Sequence, residues 1–552
     1  MWFEEADEIL KTYLPYYLLL VLPIFIIVSP VNPVSASYEF PVYRMQHFDL
    51  HGVGHGCRNT LINLEARSIS SWSTSRHCII TRLGDLTIEQ FHNIRLKAGA
   101  LIVVLPKKLS VLSSEEKQHL LLLENAMLAQ EITISVYFAE NSPNLDKIIK
   151  DLSSGFTAND KTKSGAEALV NSIAANGYQI AVNPGNPNIK HNVKISTIQG
   201  VLTGRTLSEK TNTIAVVAHY DSFGVAPELS YGADSNASGV AILLELVRLF
   251  SLLYSDPKTQ GKYNLVFLLT GGGKINYQGS KKWLEDQLDS IDGSFLQETA
   301  YVMCLDTLAA SDSIYMHVSK PPKEGSSANL FFNALKESPQ SNSTPINIVH
   351  KKINLADDLL AWEHERYSIR RLPSFTLSTL KTHKDLMRSS VLDIQDNIDI
   401  NRLVRHTTMV AEALAKHIYN FSEGSIFKGS LGVQKSHLEA WISYLSSQPR
   451  SPQLLCNKDN ILVNSLQEAF NRFLREIKVS TVQPDKRDPD FTFYDVTKGM
   501  MNIYSVKPAV FDLVLTIVIV LYLSIVYLVV LKFPYIYVIS CNLISYKKVK
   551  AN

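Results

Sequence analysis

Read for the spacing of apolar and polar positions, the chain has two apolar ends and a long alternating middle. Leu513 to Leu531 runs without a charge between Asp512 and Lys532. A hydrocarbon core of about 30 Å needs about 20 helical residues, so this stretch predicts a membrane-spanning helix. The tail after it carries Lys532, Lys547, Lys548 and Lys550 and no acid. By the positive-inside tendency that tail is cytosolic, and everything before Asp512 lies in the lumen or outside. At the other end Leu14 to Val28 is apolar, and Val34-Ser35-Ala36 suits signal-peptidase cleavage. Glu4, Glu5, Asp7 and Glu8 precede it where a signal peptide carries positive charge, so a cleaved signal and an uncleaved anchor both fit.

The middle reads as two α/β lobes. From Cys78, CIITRLGDLTIEQFHNIRLKAGALIVVLP is an apolar run, a helical stretch and a second apolar run, a βαβ-like pattern repeated more loosely through ITISVYF and LDKIIKDL. A polar run from Ser153 to Lys163 separates it from the next lobe. There, strands are predicted at Thr213 to His219, Asn264 to Leu269, Tyr301 to Leu305 and Ile314 to Val318. Amphipathic helices lie between them at Gly239 to Leu253 and Lys281 to Ile291, and a long helix closes the lobe at Asn401 to Tyr419. That alternation predicts an α/β domain with a mixed, largely parallel central sheet, whose chemistry collects past the carboxyl ends of the strands. Beyond Gly424 helices are expected at Leu438 to Leu445 and Asn464 to Val479. The expected division is a signal or anchor at 1–36, an N-terminal luminal lobe at 37–163 and a larger domain at 164–424. A helical membrane-proximal region at 425–508, a membrane helix at 509–532 and a cytosolic tail at 533–552 follow.

Composition narrows the class. The 552 residues are 46% apolar and 19% charged, with 54 Lys and Arg against 52 Asp and Glu. A net charge of +2 offers no global basic field for nucleic acid, and the apolar share excludes disorder. Five cysteines are too few for a disulfide-built scaffold. Cys57, Cys78, Cys304 and Cys456 fall in the translocated part, in no recognisable pairing framework, and Cys304 sits in an apolar strand. Acceptor triplets for N-glycosylation occur at Asn236, Asn342 and Asn420.

One set of polar residues gathers at strand ends. His219-Tyr220-Asp221 follows TIAVVA, GADSNASG opens a helix from Gly232, and Asp306 ends YVMCL. Imidazole and carboxylate groups on rigid elements are what a metal site requires. These motifs resemble the co-catalytic zinc aminopeptidase family, which also includes glutamate carboxypeptidase and the transferrin receptor ectodomain. The resemblance places His219, Asp221, Asp234 and Asp306 as remnants of the family's metal site. It puts Ser235 where the family has its metal-bridging Asp. Aligning Gly279-Ser280 in VFLLTGGGKINYQGS puts Gly273 and Lys274 where the family has a glutamate base and a glutamate ligand. The late histidine ligand has no clear counterpart, since His383 lies in THKDLMRSS with different spacing. A bridging carboxylate and a general base are what such hydrolysis needs, so no catalytic residue, metal or cofactor is expected, although a single weakly held ion at His219 and Asp306 stays open. Gly271-Gly272-Gly273 lacks the spacing of a phosphate loop and reads as a strand-to-helix turn.

Longer stretches are similar to the nicalin family, nicastrin-like membrane proteins of the endoplasmic reticulum. They include YEFPVYRMQHFDLHG, AHYDSFGVAPELSYGADSNASG, GGGKINYQGSKKWLED, HVSKPPKEG, AWEHERYSIRRLPSFTLS and DKRDPDFTFYD. That resemblance implies a single-pass type I glycoprotein of the endoplasmic reticulum membrane with a catalytically dead peptidase-like domain. It further implies assembly with Nodal modulator and a small multispanning membrane protein beside the translocon, in the insertion of multi-pass membrane proteins and the modulation of Nodal signalling. Two other readings remain: a membrane-tethered zinc aminopeptidase, and a nicastrin-like substrate gatekeeper of an intramembrane protease.

Overall fold

The computed structural model describes residues 36–154, 177–191, 193–205, 211–289, 295, 298–338, 340, 343–421, 424–455, 460–485, 491–506, 509–535 and 538. The N-terminal apolar segment, Asn342, Cys456 and the basic tail lie outside the described residues.

The chain opens with β1 (Tyr38–Arg44), β2 (His47–Leu50), β3 (Val53–Cys57) and β4 (Ile62–Arg67). It then alternates β5 (His77–Arg82), α1 (Ile88–Lys97), β6 (Ala100–Leu105), α2 (Ser114–Leu128), β7 (Glu131–Ile132), β8 (Ser135–Glu140) and α3 (Pro143–Ser154). Thr87 and Ser113 start α1 and α2 with reciprocal capping boxes, each satisfying two amides that the first helical turn leaves free. After β9 (Gly177–Val182), β10 (Ile195–Leu202) and β11 (Thr213–His219) come α4 (Ala237–Ser255), β12 (Asn264–Thr270), α5 (Gln278–Asp289), β13 (Thr299–Leu305) and β14 (Ile314–Val318). Next are α6 (Ser327–Lys336), β15 (Ile346–His350), α7 (His364–Ile369), β16 (Ser374–Ser378) and α8 (Ile400–Tyr419). The last part holds α9 (Lys435–Ser446), α10 (Ile461–Asn471), β17 (Glu476–Val482), β18 (Phe491–Phe493), β19 (Lys498–Val506) and α11 (Ala509–Leu531).

The larger domain is built on an eight-stranded sheet in the order β15-β14-β16-β13-β11-β12-β10-β17. Its centre is parallel, β12 with β11, β11 with β13 and β13 with β16, while β10, β17 and the β14–β16 pairing are antiparallel. This is the mixed, largely parallel sheet that the strand–helix alternation predicts. Strands covered on both faces are apolar throughout, and β11 is buried at every residue. One face packs on α4, α8, α9 and α10 in a single large core; the other packs Trp283 and Leu284 of α5 and Tyr367 of α7. Helix α4 is long and apolar enough to cross a membrane, yet it is buried as the central core helix. The Leu513–Leu531 part of α11 meets the same criterion and is not buried at all.

The smaller lobe closes as a barrel in the order β1-β19-β9-β4-β5-β6-β8. Its parallel β5, β6 and β8 with the intervening helices are the βαβ pattern read from Cys78. Two of its strands, β9 and β19, come from beyond the expected boundary at 163, so the lobe is not one continuous segment. Residues 425–508, expected to be helical, contain α9 and α10 followed by β17, β18 and β19. The helix expected at Asn464 to Val479 ends at Asn471, and Glu476–Val482 is instead an edge strand paired antiparallel with β10. EIKVSTV carries β-branched residues in a largely exposed pattern, which suits a sheet edge and offers no continuous helical stripe. Helix α9 is docked rather than free. Buried Glu245 of α4 accepts from Arg248 at 2.6 Å and from the Gln434 amide at 2.8 Å, and it also contacts His437 at 2.5 Å.

The two lobes share a core in which Val225, Leu229, Val391 and Leu392 of the larger domain pack with Phe91, Leu123 and Met127 of the smaller. Glu124 of α2 reaches across it, accepting from the Val391 amide at 2.9 Å. Burial raises its carboxyl to about 7, against the opposing hydrogen bonds from Ser390 and Val391. The folded state therefore holds this proton more tightly than the unfolded chain, so its contribution to stability falls as pH rises from about 4.5 to about 7. Between pH 5 and pH 8, unfolding free energies of the full chain are expected to show Glu124→Gln gaining on the wild type by roughly 1–3 kcal/mol. Parallel pH profiles of the two proteins would contradict this.

Candidate functional site

The site sits at the carboxyl ends of β11, β12 and β13. His219, the last residue of β11, is fully buried. Its Nδ1 lies 3.4 Å from Glu363 Oε2, and its Nε2 has no hydrogen-bond partner among the described residues. Asp221 does not orient this imidazole. Its carboxylate instead accepts from the Gly273 amide at 2.7 Å and the Lys274 amide at 2.9 Å, pinning the turn after β12. Gly273 abuts the histidine ring: a Cβ there would fall 2.3 Å from His219 Cγ. No side chain fits at that position while His219 keeps its place.

Two cations of the chain fill the rest of the site. Lys274 Nζ donates to Ser235 Oγ at 2.8 Å and to the Arg388 carbonyl at 3.1 Å. Burial, followed by the nearby Arg388 charge, lowers its ammonium to about 8, while Asp306, Asp221 and Asp393 oppose the shift. Arg388 is ion-paired with Asp306. It also donates to Tyr277 Oη at 3.2 Å and to the Ala361 and His383 carbonyls, and its guanidinium lies 4.4 Å from the Trp362 ring centroid. Burial alone would raise the Asp306 carboxyl; Arg388, with His219 and Lys274, overrides it and holds the group well below the usual carboxylate range.

The turn that opens α4 is held from behind. Asp393 accepts from the Asp234 amide at 2.6 Å and the Ser235 amide at 2.8 Å. The Asp234 side chain turns to the Ala309 amide at 2.8 Å, and burial, reinforced by Asp393, raises its carboxyl to about 7. Asn236 follows a cis peptide and caps α4, its Oδ1 accepting from the Gly239 amide at 3.1 Å. Buried Arg450, from the segment before α10, donates to the Tyr231 carbonyl and clamps Gly232, whose φ is +63° and where an added Cβ would fall 2.4 Å from Ser222 Cβ, so no side chain fits.

The residues do not fit a zinc pair. The position expected for a bridging carboxylate is a hydroxyl bonded to an ammonium, the position expected for a base is a glycine, and Asp306 is ion-paired with a guanidinium. Among the described residues no group of three or more His, Cys, Asp or Glu side chains is placed to hold a metal ion. Sequence reasoning picked out His219, Asp221, Asp234 and Asp306, and the fold brings all four to one sheet end. It missed Glu363, Arg388, Asp393 and Arg450, which arrive from distant segments. His383 gives its carbonyl to Arg388 and lines the cavity above the site. An open cavity of about 400 Å³ lies above the site, with Phe48, Leu128 and Phe223 facing Gly273, Lys274 and Arg388.

Asn236 is fully buried, and its Nδ2, the atom a glycan would occupy, donates to the Leu305 carbonyl at 2.7 Å. Asn420 is exposed at the left-handed end of α8. Glycopeptide mapping of the folded full chain is therefore expected to find Asn236 unmodified; a glycan there would contradict this packing. Cys57, Cys78 and Cys304 are free and buried, and burial raises each thiol.

Comparison with known proteins places these features in context. The model of peptidase family M28 matches residues 200–413. The chain is 43% identical over 560 residues to BOS complex subunit ncln of Danio rerio, covering 97% of each. It is 42% identical over 551 residues to BOS complex subunit NCLN of Homo sapiens, again covering 97% of each. Among solved structures, the gamma-secretase component nicastrin matches with a TM-score of 0.59 and 9% identity, over 86% of this chain and 100% of that one, a likeness of fold alone.

Proposed function

Since the chain belongs to the nicalin family of BOS complex subunits, we propose that it is a non-catalytic scaffold subunit of a membrane complex, its peptidase-like domain kept for its surfaces. The observation that carries this reading is the pairing of Arg388 with Asp306 beside a glycine packed on His219. In metal-assisted peptide hydrolysis a base within reach activates the water and a Lewis acid polarises the carbonyl. Here the one carboxylate at the end of β13 is held by an organic cation, and the base position has no functional group. The finer reading is an endoplasmic reticulum location, with 1–36 a signal or anchor, the lobes luminal and 533–552 cytosolic. The partners would be Nodal modulator and a small multispanning membrane protein at the translocon, with an effect on Nodal signalling.

Two measurements on the full chain in mild detergent test it. Metal analysis with a peptide panel is expected to show no stoichiometric zinc and no chelator-sensitive turnover; both together would establish a tethered aminopeptidase instead. Affinity purification from endoplasmic reticulum membranes is expected to recover Nodal modulator with the small multispanning protein, and recovery of presenilin in their place would favour the gatekeeper.

A further inference from the structure

A second and larger cavity, of about 890 Å³, opens at the end of the main sheet opposite His219. It lies at the amino ends of β13 and β16 and the carboxyl end of the antiparallel β14. Met316, Val318 and Phe375 give it an apolar floor. Lys320, Lys323, Lys352 and Arg371 line it, with no acidic residue in the lining. All four cations are exposed, and none has an ion pair or side-chain hydrogen bond among the described residues. The ten-residue α6, capped by Ser326, starts at the same wall, so the positive end of its dipole adds to their field. On a chain whose charges balance to +2, such a cluster is a local feature rather than a share of a general excess.

We propose that this cavity takes an acidic segment of a partner polypeptide, carboxylates on the rim and an apolar side chain on the floor. Its volume is that of a pocket for a few side chains, and pockets of this kind join an apolar lining to a few placed charges. A bilayer is flat and cannot enter a concavity to reach the floor, whereas an extended segment can. Charge complementarity of this sort gives specificity and salt-sensitive association. The site is separate from the remnant at His219, so it adds a contact to the scaffold reading without depending on the loss of catalysis.

The test uses the full chain in phosphatidylcholine nanodiscs and a fluorescein-labelled peptide of alternating Glu and Leu, followed by anisotropy. Saturable binding is expected, weakened about tenfold by the combined Lys320→Glu, Lys323→Glu, Lys352→Glu and Arg371→Glu variant and by raised salt. The exposed positions should leave the thermal midpoint unchanged. Equal binding by wild type and variant would overturn the proposal. So would absence of peptide binding with capture of phosphatidylserine vesicles through the same cations. Loss of partner proteins on purification with peptide binding intact counts against the scaffold reading and not against this one.

Discussion

Arg388→Met is expected to destabilise the larger domain by about 3–5 kcal/mol, the cost of leaving a buried charge without its partner. Asp306 is 1% exposed, and Arg388 is the cation paired with it. The same guanidinium bonds Tyr277 and two carbonyls and covers the Trp362 ring, so the variant also strips hydrogen bonds and a stacking contact. Asp306→Asn placed in the same chain removes the orphaned charge and is expected to recover a large part of the loss. Denaturant midpoints of the wild type, both single variants and the double variant measure the coupling. A single variant within about 1 kcal/mol of wild type, below the usual cost of breaking a buried pair, would show that Arg388 does not carry this site.

Placing at Gly273 and Lys274 the acidic pair that the resemblance implies for those positions is expected to fail in an informative way. Gly273→Glu with Lys274→Glu would return both residue types, yet the first Cβ collides with the His219 ring at 2.3 Å. The second removes the ammonium that bonds Ser235 and adds a carboxylate beside Asp221 and Asp306. Overpacking and unpaired buried charge together should cost about 3 kcal/mol or more, with no zinc-dependent hydrolysis. Gly273→Ala alone isolates the steric part, at about 1–3 kcal/mol. Stoichiometric zinc and turnover in the double variant would mean that only two residues separate this site from an active one.

How much of this was legible depended on whether a feature was local. Strand β11 coincides with the expected Thr213 to His219, and α4 extends the expected helix by two residues at each end, because an apolar run writes the strand and an apolar-rich helical pattern, broken only by residues such as Glu245 and Arg248, writes the helix. The His219–Asp221 spacing and the apolar run ending at Asp306 likewise pointed to one cluster at the sheet end. Arg388 could not be found that way. It lies in a polar loop, THKDLMRSS, and its meaning comes only from Asp306, which is 82 residues earlier. Asp393 and Arg450 are of the same kind: a carboxylate and a guanidinium whose partners are backbone groups of a remote turn. The misread β17 failed for a related reason, since an exposed edge strand takes its order from β10 and carries little pattern of its own.

The pairing of β1 with β19 imposes an order in time. Ser37, just ahead of β1, and Ser505, in β19, meet although they are 468 residues apart. At about 5–20 residues per second, synthesis leaves the first strand waiting roughly half a minute to a minute and a half for the strand that completes its barrel. By then the large domain has had time to form, and β19 is separated from α11 by only two residues. The lobe made first is thus the last to close, and it closes as the membrane helix follows it out of the ribosome. During that interval the β1 edge is an open template for other strands, so its protection falls to whatever receives the nascent chain. Nascent chains halted before residue 498 should expose this edge, and chains released after residue 506 should not.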